Sequence, residues 1–383
     1  MLRHAVIAAF LSLALWRAAP TRAPAADVLP PGVSQPLVLD PGPDNPRNSE
    51  GDFVRLKTGR LLFVYTKFTG GSDDHSSAVL AARHSDDGGQ TWSAADDVLV
   101  RQLGKQNVMS VSLLRLADGR IAMFYLVKNS AADCRPFVQF SSDEAATWTG
   151  PKPCTADPVY VVLNNNRAVQ LAGGKFAGRI VLPVARHGRG GDKPGFHRGV
   201  ATCYLSDDGG ATFRKADSDL EAPPESRSGL QEPLVVERRD GSLLMLCRTD
   251  RGSQFRSTST DGGNTWTPAE PTDLASPLSP ASVARIPKTG DLLMAWNDHS
   301  GASGPAPKGK RTPLTVAVSK DDGKTWPTRK TVYADPAGWY CYTAITFAGD
   351  RVLLGHCAGT YTGGATGLTR TVVTAFDVDW LYK

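Results

Sequence analysis

Two carboxylates occupy equivalent places in a repeated unit: Glu50 stands nine residues ahead of Gly59, and Glu232 nine residues ahead of Gly241. The same offset selects Ser110 before Gly119 and Tyr340 before Gly349. Each of these residues opens a strand and belongs to the same face of the molecule, where acid, hydroxyl and phenol groups can line a polar site. Asn164, Asn165, Asn166 and Arg167 lead the corresponding strand of a third unit at a longer offset, either for the same purpose or for turns. Metal chemistry finds no support. Asn297-Asp298-His299 ends a strand, but no second ligand cluster joins it, and the six cysteines contain no C-x-x-C pair. No metal and no organic cofactor is expected. Cys134 with Cys154 and Cys341 with Cys357 each flank a turn signal. Each pair is either a cross-strand disulfide or two buried thiols.

The elements that must position these residues are written as two interleaved repeats. One reads Ser-x-Asp-x-Gly-x-Thr-Trp and starts at Ser85, Ser206, Ser259 and Ser319, with a worn copy, SSDEAATW, at Ser141. The other is a turn glycine followed by an apolar, β-prone run, as in GRLLFVY at Gly59 and GSLLMLC at Gly241, with six copies in all. Helical periodicity is nearly absent. The Asp of the first repeat can accept backbone N–H bonds across its own turn while the Trp packs into the sheet beside it. A unit of roughly 58 residues holds about four short strands and cannot cover both faces of its sheet, whereas six arranged radially can. The expected fold is therefore all-β, a six-bladed β-propeller spanning residues 27–383. The closing blade should combine C-terminal strands with residues near 35 to 45. The polar stretch from Ala185 to Gly199 reads as a long loop of blade three.

Composition agrees. Gly 38 and Pro 27 in 383 residues favour a turn-rich fold. Residues 1–26 read as a signal peptide: Arg3 and His4, an apolar run from Ala5 to Trp16, and a small-residue cleavage site at Ala23-Pro24-Ala25. That run is too short to span a bilayer as a helix, and no other stretch approaches the required length, so no membrane span is expected. A secreted or periplasmic location follows. Loss of the leader's three arginines lowers the formal charge from +5 to about +2, a balance that gives a nucleic-acid partner no support.

The Ser-x-Asp-x-Gly-x-Thr-Trp turns are Asp-boxes, and five of them in a six-unit chain resemble the sialidase superfamily. The resemblance implies an exo-acting glycoside hydrolase with a retaining mechanism and a sialoglycoconjugate, or a related acidic glycan, as partner. It also implies roles. Glu232 and Arg248, at the two ends of a hairpin, match the glutamate and an arginine of one family blade. Arg311, opening the strand into the last box, matches a second carboxylate-binding arginine. Tyr342 matches the nucleophile, with Tyr340 as rival. Asp74, in the loop before the first box, matches the acid/base, with Asp73 as alternate and His75 as a polar neighbour.

Those residue types suit the chemistry. A sialoside carries its carboxylate on the anomeric carbon, so a carboxylate nucleophile would approach against charge; a tyrosine, neutral until it attacks, does not. Arginines grip the carboxylate through a planar fork. The acid/base carboxyl should have a raised pKa. One place departs from the pattern: Glu50 stands where the family has its first arginine, with Arg47 near but out of register. A carboxylate about 5 Å from the substrate's own would cost roughly 3 kcal/mol at an effective dielectric near 20. The rival readings are thus a propeller glycosidase or lyase for a different glycan, and a non-catalytic propeller that binds glycans or proteins.

Overall fold

The computed structural model describes residues 28–187, 198–304, 306–361 and 367–383. The signal-peptide reading (residues 1–26) lies outside them, as does most of the polar stretch after His187. Six antiparallel sheets form the chain, and the helical content among the described residues is two short 3-10 turns, Gly174–Phe176 and Val378–Tyr382. No helix among these residues is long and apolar enough to cross a membrane.

The sheets are the blades of a six-bladed propeller, each running in chain order from an inner to an outer strand. Blade one has Arg47–Arg55 innermost, followed by Leu61–Phe68, Ala78–Ser85 and Asp97–Val100. The inner strands of blades two, four, five and six are Asn107–Arg115, Gln231–Glu237, Ser282–Arg285 and Gly338–Ala348. Blade three differs, because two fragments, Val161–Val162 and Val169–Gln170, share the pairing to Ile180–Arg186. Ser34–Leu39 pairs with Thr371–Asp377 as the outermost strand of blade six. The N-terminal segment thus closes the ring, as the repeat count requires.

Between neighbouring blades the inward-facing apolar side chains interleave. Val54, Leu62 and Val64 of blade one meet Val108, Leu113 and Met123 of blade two, and comparable cores fill the other five interfaces. Such packing is why one blade cannot stand alone: each face finds its cover only on the next blade.

The Asp-boxes cement the turn between third and outer strands. In the first, Ser85 Oγ and the Thr91 amide both donate to Asp87 Oδ1, at 2.8 and 2.9 Å, while Thr91 Oγ1 donates to Oδ2 at 2.6 Å. The worn copy keeps the pattern around Asp143. Its glycines are replaced by Glu144 and Ala145, which nevertheless adopt φ of 60° and 67°. Trp266 and Trp326 are buried in inter-blade cores, so these tryptophans are packing elements.

The asparagine run of blade three crosses beneath the central hollow and stitches the ring together. Asn164 O accepts from Ser112 Oγ, and Asn165 Nδ2 donates to Gly51 O and Tyr342 O at 2.8 and 2.9 Å. Asn166 Nδ2 donates to Asp52, and Arg167 reaches across to Ser282 Oγ and Ala281 O of blade five. Four blades are thereby tied to one short segment.

Candidate active site

A β-bulge recurs near the start of the inner strand. Pairing skips between Ser49 and Asp52, Met109 and Ser112, Gln231 and Leu234, and Cys341 and Ala344. The extra residue bends the strand and frees one side chain from the pleat. At each bulge that residue has a positive φ although it is not glycine: Glu50 (54°), Ser110 (59°), Glu232 (45°) and Tyr342 (56°). Asn166 of blade three joins them at 56°. Such conformations carry strain and concentrate at functional sites. Here they turn side chains of different blades toward one axis.

Glu50, Ser110, Glu232 and Tyr342 line a central cavity of about 510 Å³, together with Asp74 and Arg248. That volume falls within the range of small-molecule sites. A larger hollow of about 650 Å³ lies at the outer rim between blades two and three, away from this constellation. The phenol of Tyr342 donates to Glu232 Oε1 at 3.3 Å. Glu232 Oε2 is ion-paired with Arg248 Nη1 at 2.9 Å, and Arg248 also donates to Gln231 Oε1 through Nε and Nη2. Burial and the Glu232 charge push the phenol's pKa up, with Arg311 and Arg248 opposing. The Arg311 guanidinium lies 5.1 Å from the Tyr342 ring centre and 5.3 Å from that of Trp339, and its Nη1 is buried without a hydrogen-bond partner. Burial disfavours its charge, but the Cys341, Tyr342 and Glu232 groups around it hold its pKa above the ordinary arginine value.

On the opposite wall Arg47 Nη1 donates to Asp74 Oδ1 at 2.6 Å, and its Nη2 lies 3.6 Å from Glu50 Oε1. Arg47 is buried (1% exposed) behind both carboxylates, stacked 4.3 Å over the Phe68 ring. It therefore steadies two acids rather than touching the cavity, a correction to its expected place among the substrate-binding residues. Asp74 also departs from expectation. Desolvation raises its pKa, but Arg47 outweighs it and holds the carboxyl below its ordinary value, so the free site contains no pre-protonated Asp74. The raised carboxyl is Glu50. Burial pushes it up to about 7 against the pull of Arg47, with Asp74 and Glu232 adding to the rise.

Other expected site residues are placed elsewhere. Tyr340 is buried (1% exposed) in an inter-blade core, its ring 4.7 Å from that of Tyr333 and edge-on to His356. Blade six closes its inner hairpin with the two-residue turn Gly349-Asp350, which shortens the bulge-to-glycine offset and puts Tyr342, not Tyr340, on the axis. Asn166 and Arg167 spend their side chains below the cavity floor, and burial brings the Arg167 pKa down to about 10. Neither is left to bind sugar hydroxyls. Asp73 caps its own loop, accepting from the His75 amide and Ser76 Oγ. Asn297 and Asp298 are structural: Asn297 donates to Pro313 O and Tyr340 O, and Asp298 accepts from Ser303 and Arg329. Among the described residues no three metal-ligating side chains cluster. All six cysteines are buried free thiols.

Sequence reasoning missed Lys128, Tyr160 and Gln231, all of which line the cavity. Lys128 Nζ donates to the backbone of Asp74 at 2.8 Å and so holds the acid's loop. Gln231 was within reach as the neighbour of Glu232. Nothing in the repeats marks Lys128 or Tyr160.

The BNR repeat-like domain profile matches residues 59–354. The chain belongs to the BNR repeat-like family. This BNR-repeat propeller is 26% identical over 369 residues to a sialidase of Micromonospora viridifaciens, a match covering 86% of the chain and 53% of that protein. The chain thus spans about half the length of this relative. Its fold resembles that of a Dyadobacter fermentans protein of unknown function (TM-score 0.69, 17% identity, 91% of this chain and 100% of that one). It also resembles the leech intramolecular trans-sialidase complexed with 2,7-anhydro-Neu5Ac (TM-score 0.67, 14% identity, 88% and 69%).

Proposed function

We propose that this propeller is a retaining, exo-acting glycoside hydrolase of the sialidase type, releasing a terminal acidic sugar from a glycoconjugate after export from the cytoplasm. The observation that carries the reading is the Tyr342 phenol donating to Glu232, with Glu232 ion-paired to Arg248 at the bottom of a solvent-open cavity. Glu232 takes the phenol proton as Tyr342 attacks the anomeric carbon, so the nucleophile acquires charge only in the transition state. Arg248 and Arg311 flank the phenol and stabilise the substrate carboxylate and the charge developing at Tyr342. Asp74, on the facing wall, protonates the departing oxygen and afterwards activates water. Its low pKa in the free site must rise on binding. An anionic substrate brings a like charge and displaces water, and both effects favour the protonated carboxyl.

The test is hydrolysis of an aryl α-sialoside followed by proton NMR of the first product. Release of the α-anomer, and a Tyr342 peptide labelled by a fluorinated sialosyl fluoride, are the expected results. Purified protein that binds sialosides but hydrolyses none would instead favour a carbohydrate-binding propeller.

A further inference from the structure

Glu50 is the carboxyl group of the cavity that the proposed mechanism leaves unused, and it occupies an axial position matched by the proposed base and nucleophile. Its backbone is fixed at φ 54°, and its side chain is 6% exposed. Oε2 accepts from Ser110 Oγ at 3.1 Å. Oε1 lies 3.6 Å from Arg47 Nη2, beyond hydrogen-bond length, and that nitrogen has no hydrogen-bond partner. One carboxyl oxygen is thus unclaimed at the cavity wall.

The charges around it are set by every blade that faces it. Arg47 lies on its own strand and Asp74 on the loop of its own blade; Glu232 faces it from blade four. Cys134 of blade two, and Tyr342 and Cys357 of blade six, also feel its charge. Arg47 is already bonded to Asp74, and Arg248 to Glu232, so two of the three acids have a close cationic partner and Glu50 has a distant one. An entering carboxylate adds a further negative charge to this group. Glu50 is the member that yields: with a proton on Oε1 it changes from an opposing charge into a hydrogen-bond donor aimed at the ligand.

We propose that Glu50 determines specificity as a neutral carboxylic acid that donates a hydrogen bond to the carboxylate of an ulosonic-acid-type sugar, in the place where the resembling family has an arginine. This rests on the hydrolase reading above and names the substrate class of the same cavity. Such a site captures anionic sugar only while Glu50 holds its proton. With the Glu50 carboxyl pushed up to about 7 by burial, affinity is lost as pH rises through neutrality. Over pH 6 to 8.5 one required proton weakens binding about 30-fold.

The experiment measures binding apart from turnover. Calorimetric titration of a non-hydrolysable methyl α-thiosialoside, at pH 6, 7 and 8.5, is run on the wild-type chain and on Glu50→Gln. The wild type is expected to lose about 30-fold in affinity across that range. Glu50→Gln, neutral at every pH and able to donate through its amide, is expected to vary less than about threefold. A wild-type affinity that is flat with pH, an equal pH-dependence in Glu50→Gln, or no binding at pH 6 each overturns the proposal. His75→Gln guards against a neighbouring titration, and a pH-dependence abolished by it rather than by Glu50→Gln is a further refutation. The hydrolase reading stands or falls separately on turnover of the O-linked aryl sialoside. pH-dependent binding without turnover removes the reaction and keeps the role of Glu50; turnover with pH-independent binding does the reverse.

Discussion

Replacing Glu232 by glutamine should separate the phenol from its base while leaving the cavity's shape intact. A tyrosine hydroxyl ionises near pH 10 in water, so at pH 7 about one in 10³ is phenolate. Burial and its surroundings push the Tyr342 phenol higher still, so the ionised fraction is smaller. Attack therefore depends on transferring the proton during the reaction, and the acceptor in place is Glu232 Oε1 at 3.3 Å. The neighbouring guanidinium of Arg311 cannot take it. Without the base, the variant must wait for spontaneous ionisation, a loss of at least about 10³ in kcat, or about 4 kcal/mol of barrier. Glutamine retains a hydrogen bond to the phenol, and Arg248 keeps its two bonds to Gln231. KM should accordingly change by less than about threefold, the pattern of an interaction made in the transition state.

The pH profile gives the sharper signature. With the base removed, the phenolate fraction limits the rate, and kcat should climb about tenfold per pH unit above neutrality. The assay is steady-state hydrolysis of an aryl α-sialoside between pH 5 and 9, on wild type and Glu232→Gln, with circular dichroism to show that both are folded. A variant within tenfold of wild-type kcat, or one whose pH profile is merely scaled down without changing shape, would refute the assignment of Glu232 as base to Tyr342.

Three further outcomes follow from the same geometry. Tyr342→Phe should lower kcat by at least about 10³, whereas Tyr340→Phe should keep kcat within about threefold and cost about 1 kcal/mol of stability; paired kinetics and thermal melts check both. Asn165→Ala removes two buried bonds, to Gly51 O and Tyr342 O, and should destabilise the fold by about 2–4 kcal/mol, read from denaturant unfolding. Finally, the melting temperature should be highest near pH 4–5. The Asp143, Asp208 and Asp321 carboxyls are held down to about 2, so their contribution is present above about pH 4 and is lost as pH falls toward 2. Threonine and serine hydrogen bonds of the Asp-boxes favour those charges, and desolvation opposes them. Burial pushes Glu50 and Asp52 up to about 7, so both make stability decline as pH rises from about 4 to 7. Burial also brings His356 down to about 4, and this one group acts in the opposite direction between about 4 and 6.5. Two against one leaves a net decline, and a melt at pH 7.5 above that at pH 5 would contradict it.

The propeller was legible because its turns are written in side-chain chemistry. Asp87 and its counterparts must accept N–H and O–H bonds across a tight turn, so their residue types recur even where the strands between them do not. The places of Glu232, Arg248 and Asp74 could be read for a related reason: each lies at a fixed point beside a strand end or box. Tyr342 against Tyr340 could not be settled by counting, because the offset depends on hairpin length, and blade six turns in two residues where blade one uses the longer loop after Arg55. The duty of Asn165, Asn166 and Arg167 was hidden more deeply. Their partners lie up to 179 residues away, and a run of asparagines before a strand reads as a turn until the opposite blade is seen. Arg47 is instead held within its own blade, over Phe68 and against Asp74, 21 and 27 residues further along, and neither contact has a local signature in the sequence.

The repeated bulge explains how one propeller can change its chemistry without changing its backbone. A non-glycine residue in the left-handed region costs about 1–2 kcal/mol, and this chain bears that cost on four bulged inner strands and at Asn166, between the two inner fragments of blade three. Neighbouring blades offset part of it: the Ser110 amide donates to Thr66 Oγ1, and the Asn166 amide to Val111 O. The conformation is therefore held from both sides, and it delivers one side chain per bulge to the axis whatever that side chain is. In the proposed mechanism blades four and six use it for a base and a nucleophile, while blade two presents a hydroxyl there and blade one an acid. Because φ at Glu50 resembles φ at Tyr342, the residue type at position 50 can change with no shift in the strand, altering the local charge while leaving Glu232 and Tyr342 where they are. On the proposed mechanism, selection of the sugar and attack on it are then separable properties of separate blades, which is why Glu50→Gln should alter binding against pH and Glu232→Gln should alter kcat.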